Sequence, residues 1–182
     1  GAARHQRSMS TIRHWGSTPE ERASPFPCDR WMPEFDDELF RAVEVAAPPA
    51  VVFRWLCQLR VAPYSYDLLD NLGRTSPREL TPGLDRLARG QRVMAIFELV
   101  EYERDCHITL VLDRARGMFG QIAVTYRVTP AGAGSRIVVK MVVQRPRGVM
   151  RLFASLLPAG DLVMMRKQLL TLKQLAERSA TA

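Results

Sequence analysis

Hydrophobic and polar positions alternate from Glu38 to Ala46. Leu39, Arg41, Val43 and Val45 fall on one side and Phe40, Ala42 and Glu44 on the other, which predicts a strand with one mixed face. Ala47-Pro48-Pro49 ends it. Pro49 suits the first turn of a helix running to about Leu59, with Val52, Phe53, Leu56 and Leu59 on one stripe. From Val61 to Gly90 the pattern is short and turn-rich: a short helix from Tyr64 closed at Gly73, then a loop with a single helical turn. Four strands follow at 92–102, 106–113, 119–129 and 136–145, separated by turn signals, which reads as an antiparallel meander. The end is helical, in two pieces at 149–157 and 161–177, with Pro158-Ala159-Gly160 as a kink or break. Leu162, Met165, Leu169, Leu172 and Ala176 recur along one side of the second piece, and Arg166, Lys167, Lys173 and Gln174 take the other.

Ahead of the first strand, residues 10–37 read as an irregular arm. Thr18-Pro19-Glu20-Glu21 is a helix start, stopped by Pro25 and Pro27. Trp15, Phe26, Trp31 and Phe35 would be costly in water, so the arm is expected to pack across the domain. Residues 1–9 are expected to be disordered or a cloning remnant, with Met9 a natural start, and 38–179 to form one domain. Strand, helix, antiparallel strands and a long final helix make an α+β layout. That helix can bury its stripe only on one sheet face, and a twisted sheet against a straight helix leaves room for a cavity.

Composition narrows the chemistry. The 182 residues suffice for one core without staples, and 47% hydrophobic with 25% charged residues excludes wholesale disorder. Cys28, Cys57 and Cys106 are too few and too scattered for a disulfide framework, so a reducing, cytoplasmic compartment is expected. No secretory signal and no transmembrane span is read, and hence no integral membrane association. H-E-x-x-H, the phosphate-cradling glycine loops and G-x-S-x-G are absent. The net charge of +7 comes from 23 Arg and 3 Lys spread along the chain without a basic run or interleaved aromatics, so nucleic acid is not an expected partner.

The run from Phe40 to Leu56, a strand, an Ala-Pro-Pro turn and an amphipathic helix with Phe53 near its start, resembles the opening of START-related proteins, the SRPBCC superfamily. Three further stretches resemble an uncharacterised bacterial branch of it: Trp15 to Glu21, Tyr64 to Asn71, and Met164 to Leu170 with Leu172-Lys173. The resemblance implies a helix-grip fold, a curved antiparallel sheet wrapped around a long C-terminal helix with an internal cavity. It implies a small hydrophobic or amphipathic ligand, lipid-like or aromatic, and no cofactor. Relatives include polyketide cyclases and aromatases, lipid and sterol carriers, and plant hormone receptors. An enzyme of polyketide cyclase or dehydratase type using the same cavity is the alternative, and a regulatory or interaction module with a filled core is a third. A homodimer is compatible with each. No catalytic motif of those relatives can be placed here, and whether the chain turns anything over stays open.

Candidate ligand contacts are Tyr64, Tyr66, Phe97, Tyr126, Met141 and Met165. The tyrosines would fix a ligand oxygen, or else pack locally with their hydroxyls in water. Phe97, Tyr126, Met141 and Met165 sit on apolar faces that line a cavity if one exists and are plain core otherwise. Asp67 and Asp70 share a helix face and could work as acid and base, although turn and capping duty is their ordinary role. Glu98 is a third acid–base candidate, yet Val93, Ala95, Phe97 and Leu99 form the apolar face, so it should point away and pair with an Arg across strands. His107 should face outward from Cys106, Ile108, Leu110 and Leu112, with no second or third ligand at hand, so no metal is expected.

Overall fold

The computed structural model of the chain describes residues 12–65, 76–112, 120–145 and 157–181. Residues 12–14 are helical, and two short helices follow, α1 (Pro19–Ala23) and α2 (Pro27–Trp31). Strand β1 (Asp37–Val45) leads into α3 (Pro49–Cys57) and a 3₁₀ turn at Gln58–Arg60. Then come β2 (Arg92–Val93), β3 (Phe97–Glu103), β4 (His107–Leu112), β5 (Gln121–Ala131), β6 (Gly134–Gln144) and α4 (Leu157–Thr181). The six strands form one antiparallel sheet in the order β1-β6-β5-β4-β3-β2. The long helix α4 packs on one face of it beside α3, which is the helix-grip architecture.

The main core lies between that inner face and the helices. The α3 stripe Val52, Phe53, Leu56 and Leu59 is buried, joined by Trp55. From α4 come Met165, Leu169, Leu172, Leu175 and Ala176, and from the sheet Leu39, Val45, Leu99, Leu110, Val124, Tyr126, Val139 and Met141.

A second, smaller core lies on the outer face, where the arm crosses the sheet. Phe26 meets Phe40 edge-on, with ring centroids 5.9 Å apart, and Cys28, Ala42, Ala123, Val138 and Val142 pack around them. Polar pairs fix the arm. The Cys28 N–H donates to Thr125 Oγ1 at 3.0 Å, Lys140 meets Asp29 at 2.7 Å, and Arg136 pairs with Glu21. Glu21 also closes a capping box with Thr18. At the free edge of β1, His14 and Trp15 bridge in parallel to Phe40 and Arg41. Gly16 follows at φ +74°, where a Cβ would lie 2.2 Å from the Ala42 carbonyl oxygen, so only glycine lets the arm run this close.

Several sequence expectations change. The predicted strand 92–102 is a hairpin: Val93 pairs with Phe97, and the chain reverses through Met94 (φ +48°) and Ala95 (φ +63°). Left-handed backbone at two non-glycine residues is a conformation that composition does not announce. Ala95 consequently sits exposed in the turn rather than on the apolar face. Pro158-Ala159-Gly160 does not break the final helix. It lies within α4, described from Leu157 to Thr181. The arm holds a second helix after Pro25. Of the pieces predicted at 149–157 and 64–73, residues 149–156 and 66–73 lie outside the described residues.

Candidate functional site

Alternation along β1 carries Arg41 to the inner face with Leu39, Val43 and Val45. There it is 1% exposed among apolar side chains. Burying a guanidinium demands partners. Its Nη1 donates to the carbonyls of Arg13 and Phe40 at 2.9 and 2.8 Å, and its Nη2 to Asp161 Oδ2 on α4 at 2.8 Å. The pair thus ties the arm, the edge strand and the opening turns of the long helix together. Burial pushes the Asp161 carboxyl up to about 6, against the opposing pull of Arg41.

A second polar group stands deeper. The Tyr126 hydroxyl on β5 donates to Gln168 Oε1 at 2.7 Å and lies 3.5 Å from Met165 Sδ. The Gln168 amide nitrogen donates to the Pro63 carbonyl at 2.6 Å and approaches Met94 Sδ at 3.3 Å. Burial drives the Tyr126 hydroxyl well above its ordinary range, so it stays a neutral donor. Around this network the backbone is strained: Tyr64 has φ +55°, next to Pro63, and Met94 and Ala95 are the left-handed pair of the β2–β3 turn. Such strain persists only where surrounding structure holds it.

Of the sequence-predicted contacts, Tyr126, Met141 and Met165 come together on the inner face, and Phe97 packs at its margin. Tyr64 is buried beside Trp55, ring centroids 6.1 Å apart and nearly perpendicular. Tyr66, Asp67 and Asp70 lie outside the described residues. Glu98 is exposed opposite Arg92, because its neighbours Phe97 and Leu99 take the inward positions, so it is not part of this site. Three site residues were missed: Arg41, Asp161 and Gln168. Arg41 carried a signal, an arginine at the strand period of an apolar face. Asp161 and Gln168 carried little, since only the packing of α4 shows which side of the helix turns inward.

A solvent-open groove of about 430 Å³ near the C-terminal end of α4 is lined by Arg78, Gln174, Leu175, Glu177, Arg178 and Thr181. It lies well along the helix from Asp161 and contains none of the buried polar groups.

A family model described as polyketide cyclase / dehydrase and lipid transport matches residues 38–177. No curated protein matches the sequence. A solved structure from Mesorhizobium loti is 17% identical with a TM-score of 0.50, over 79% of this chain and 98% of its own. One from Rhizobium leguminosarum is 16% identical with a TM-score of 0.49, over 78% and 95%. The di-domain ARO/CYC StfQ of the steffimycin biosynthetic pathway is 11% identical with a TM-score of 0.49, over 80% of this chain and 52% of its own. At these identities the likeness concerns the fold alone.

Proposed function

Because the chain belongs to the polyketide cyclase/dehydrase and lipid-transport family, we propose that it holds a small hydrophobic or amphipathic molecule between the inner face of its sheet and α4. The observation that carries this reading is the uneven sealing of that face. Toward the far end of α4, Val45, Val128, Ile137, Leu172 and Leu175 are at most 2% exposed. Around the start of α4, Met141, Val143 and Met165 reach 6–9%, and Phe97, Ile122 and Asp161 are only partly buried. Asp161 stands at that end, paired with the fully buried Arg41. An apolar body would settle against the methionines and Phe97, gaining about 25 cal/mol per Å² buried before ordering costs. Its polar end would meet Asp161 or Arg41.

A second reading, turnover of the same ligand, is favoured by Asp161. A carboxyl that titrates near 6 can give and take a proton near neutrality, which suits a cyclisation or dehydration. Native mass spectrometry of freshly purified protein, followed by denaturation and identification of anything released, tests the first reading. One small apolar molecule per chain is expected. An empty protein that also fails to bind a panel of apolar fluorescent probes would overturn it. The second reading is tested with Asp161→Asn. A carrier variant releases the same molecule as the wild type, whereas an enzyme variant accumulates an unreacted precursor.

A further inference from the structure

On the outer face, remote from the site above, the tight turn between β3 and β4 gathers unlike donors. One oxygen of Glu103, the Cys106 sulfur and one nitrogen of His107 lie within 4.8 Å of one another. Sequence spacing alone showed no second ligand for His107; the folded turn supplies two. Donors on a four-coordinate zinc ion, at bond lengths of 2.0–2.3 Å, stand roughly 3–4 Å apart, so a small closure of the exposed Glu103 arm would complete a three-donor set. The His107 ring is nine-tenths buried, with Nδ1 facing Glu103 at 3.8 Å and Nε2 facing Glu101 at 3.6 Å. Both distances exceed a hydrogen bond, and Nε2 has no such partner among the described residues. Glu101 is itself pinned from behind by Trp31 Nε1 at 2.8 Å and by Arg30, both from the arm. It stands on that face because the β3–β4 register shifts between Leu99 and Glu101.

We propose that Glu103, Cys106 and His107 form a binding site for a zinc-type divalent cation, with Glu101 supporting the histidine. The cation takes Nδ1, which leaves the proton on Nε2, and that N–H then closes on the Glu101 carboxylate. A carboxylate behind a ligating histidine is the usual support for such a ligand. Cys106 binds as thiolate, and its proton leaves to solvent as the sulfur–metal bond forms. Cys28 and Cys57 are buried, so Cys106 is the thiol open to the ion.

The test is titration of the full, reduced chain with cobalt(II), followed by zinc(II). The expected result is one equivalent bound, a thiolate-to-cobalt charge-transfer band, release of one proton, and bleaching by zinc. Cys106→Ser should remove the band and Glu101→Gln should weaken binding about 10–100-fold. Glu103 is largely exposed, so Glu103→Gln keeps the fold and should also weaken binding. Absence of the charge-transfer band at stoichiometric cobalt, its persistence in Cys106→Ser, or unchanged affinity in Glu103→Gln would each overturn the proposal.

Discussion

Replacing Asp161 by Asn keeps the size of the side chain and leaves an oxygen to accept from Arg41 Nη2, while removing the titration. In the unfolded chain this carboxyl has its ordinary value of 3.8, and in the folded chain it sits at about 6. Below pH 3.8 both states hold the proton. Between 3.8 and about 6 the folded chain alone retains it, and above that both have lost it and the folded state carries the whole cost of a buried carboxylate. The contribution of this group to stability therefore falls as pH rises through that window. A shift of roughly two pH units corresponds to about 3 kcal/mol. For a domain of this size that is about 6–12 °C in Tm. The assay is the difference in Tm between Asp161→Asn and wild type from pH 4 to pH 7 at fixed ionic strength, which cancels the carboxylates the two proteins share. The variant should gain on the wild type steadily with pH. A difference independent of pH would refute the reasoning. A wild type gaining on the variant would show that Arg41 outweighs burial and holds Asp161 below its ordinary value.

Two further outcomes follow from the surrounding network. Gln168→Leu strands the Tyr126 hydroxyl and the Pro63 carbonyl, and should cost about 1–3 kcal/mol in chemical denaturation. Adding Tyr126→Phe should then cost less than it does alone, and simple additivity in that double-mutant cycle would dissolve the link. Ala95→Gly relieves a left-handed alanine in an exposed turn and should raise stability by about 1 kcal/mol, read as a higher denaturant midpoint at unchanged slope. An unchanged or lower midpoint would mean that the turn is not strained.

Strand periodicity reached much of this architecture. β1, β4, β5 and β6 fall within a few residues of their predicted spans, because alternating faces are local information. The same alternation grouped Arg41 with Leu39, Val43 and Val45 and placed Glu98 away from the apolar face of its strand. What it could not supply was backbone conformation without a marker residue. Met94-Ala95-Ile96 contains no glycine, asparagine or proline, yet the chain reverses there. The register shift after Leu99 likewise sends Glu101 to the face opposite the one that counting in twos assigns, and so hides its meeting with His107. Asp161 is a chemical partner only through a contact 120 residues away in sequence. Arg41 stands out in the sequence as a charge among Leu39, Val43 and Val45, but its partner is not visible there.

The arm beneath the sheet has a practical corollary. The family match begins at residue 38, so a fragment trimmed to the matched span would discard Phe26, Cys28 and the strand-edge bridges of His14 and Trp15. Such a fragment would keep Arg41 and Asp161 but lose the Arg13 carbonyl that accepts from Arg41 and the Trp15 ring that packs against the main core. It would also bare Phe40, Ala42, Val138 and Val142 as a greasy sheet surface bordered by an open β1 edge, the combination on which chains stack into aggregates. What the arm supplies to this molecule is a cover for the outer apolar face as well as an acceptor for Arg41. It closes the second side of a sheet that is apolar on both faces.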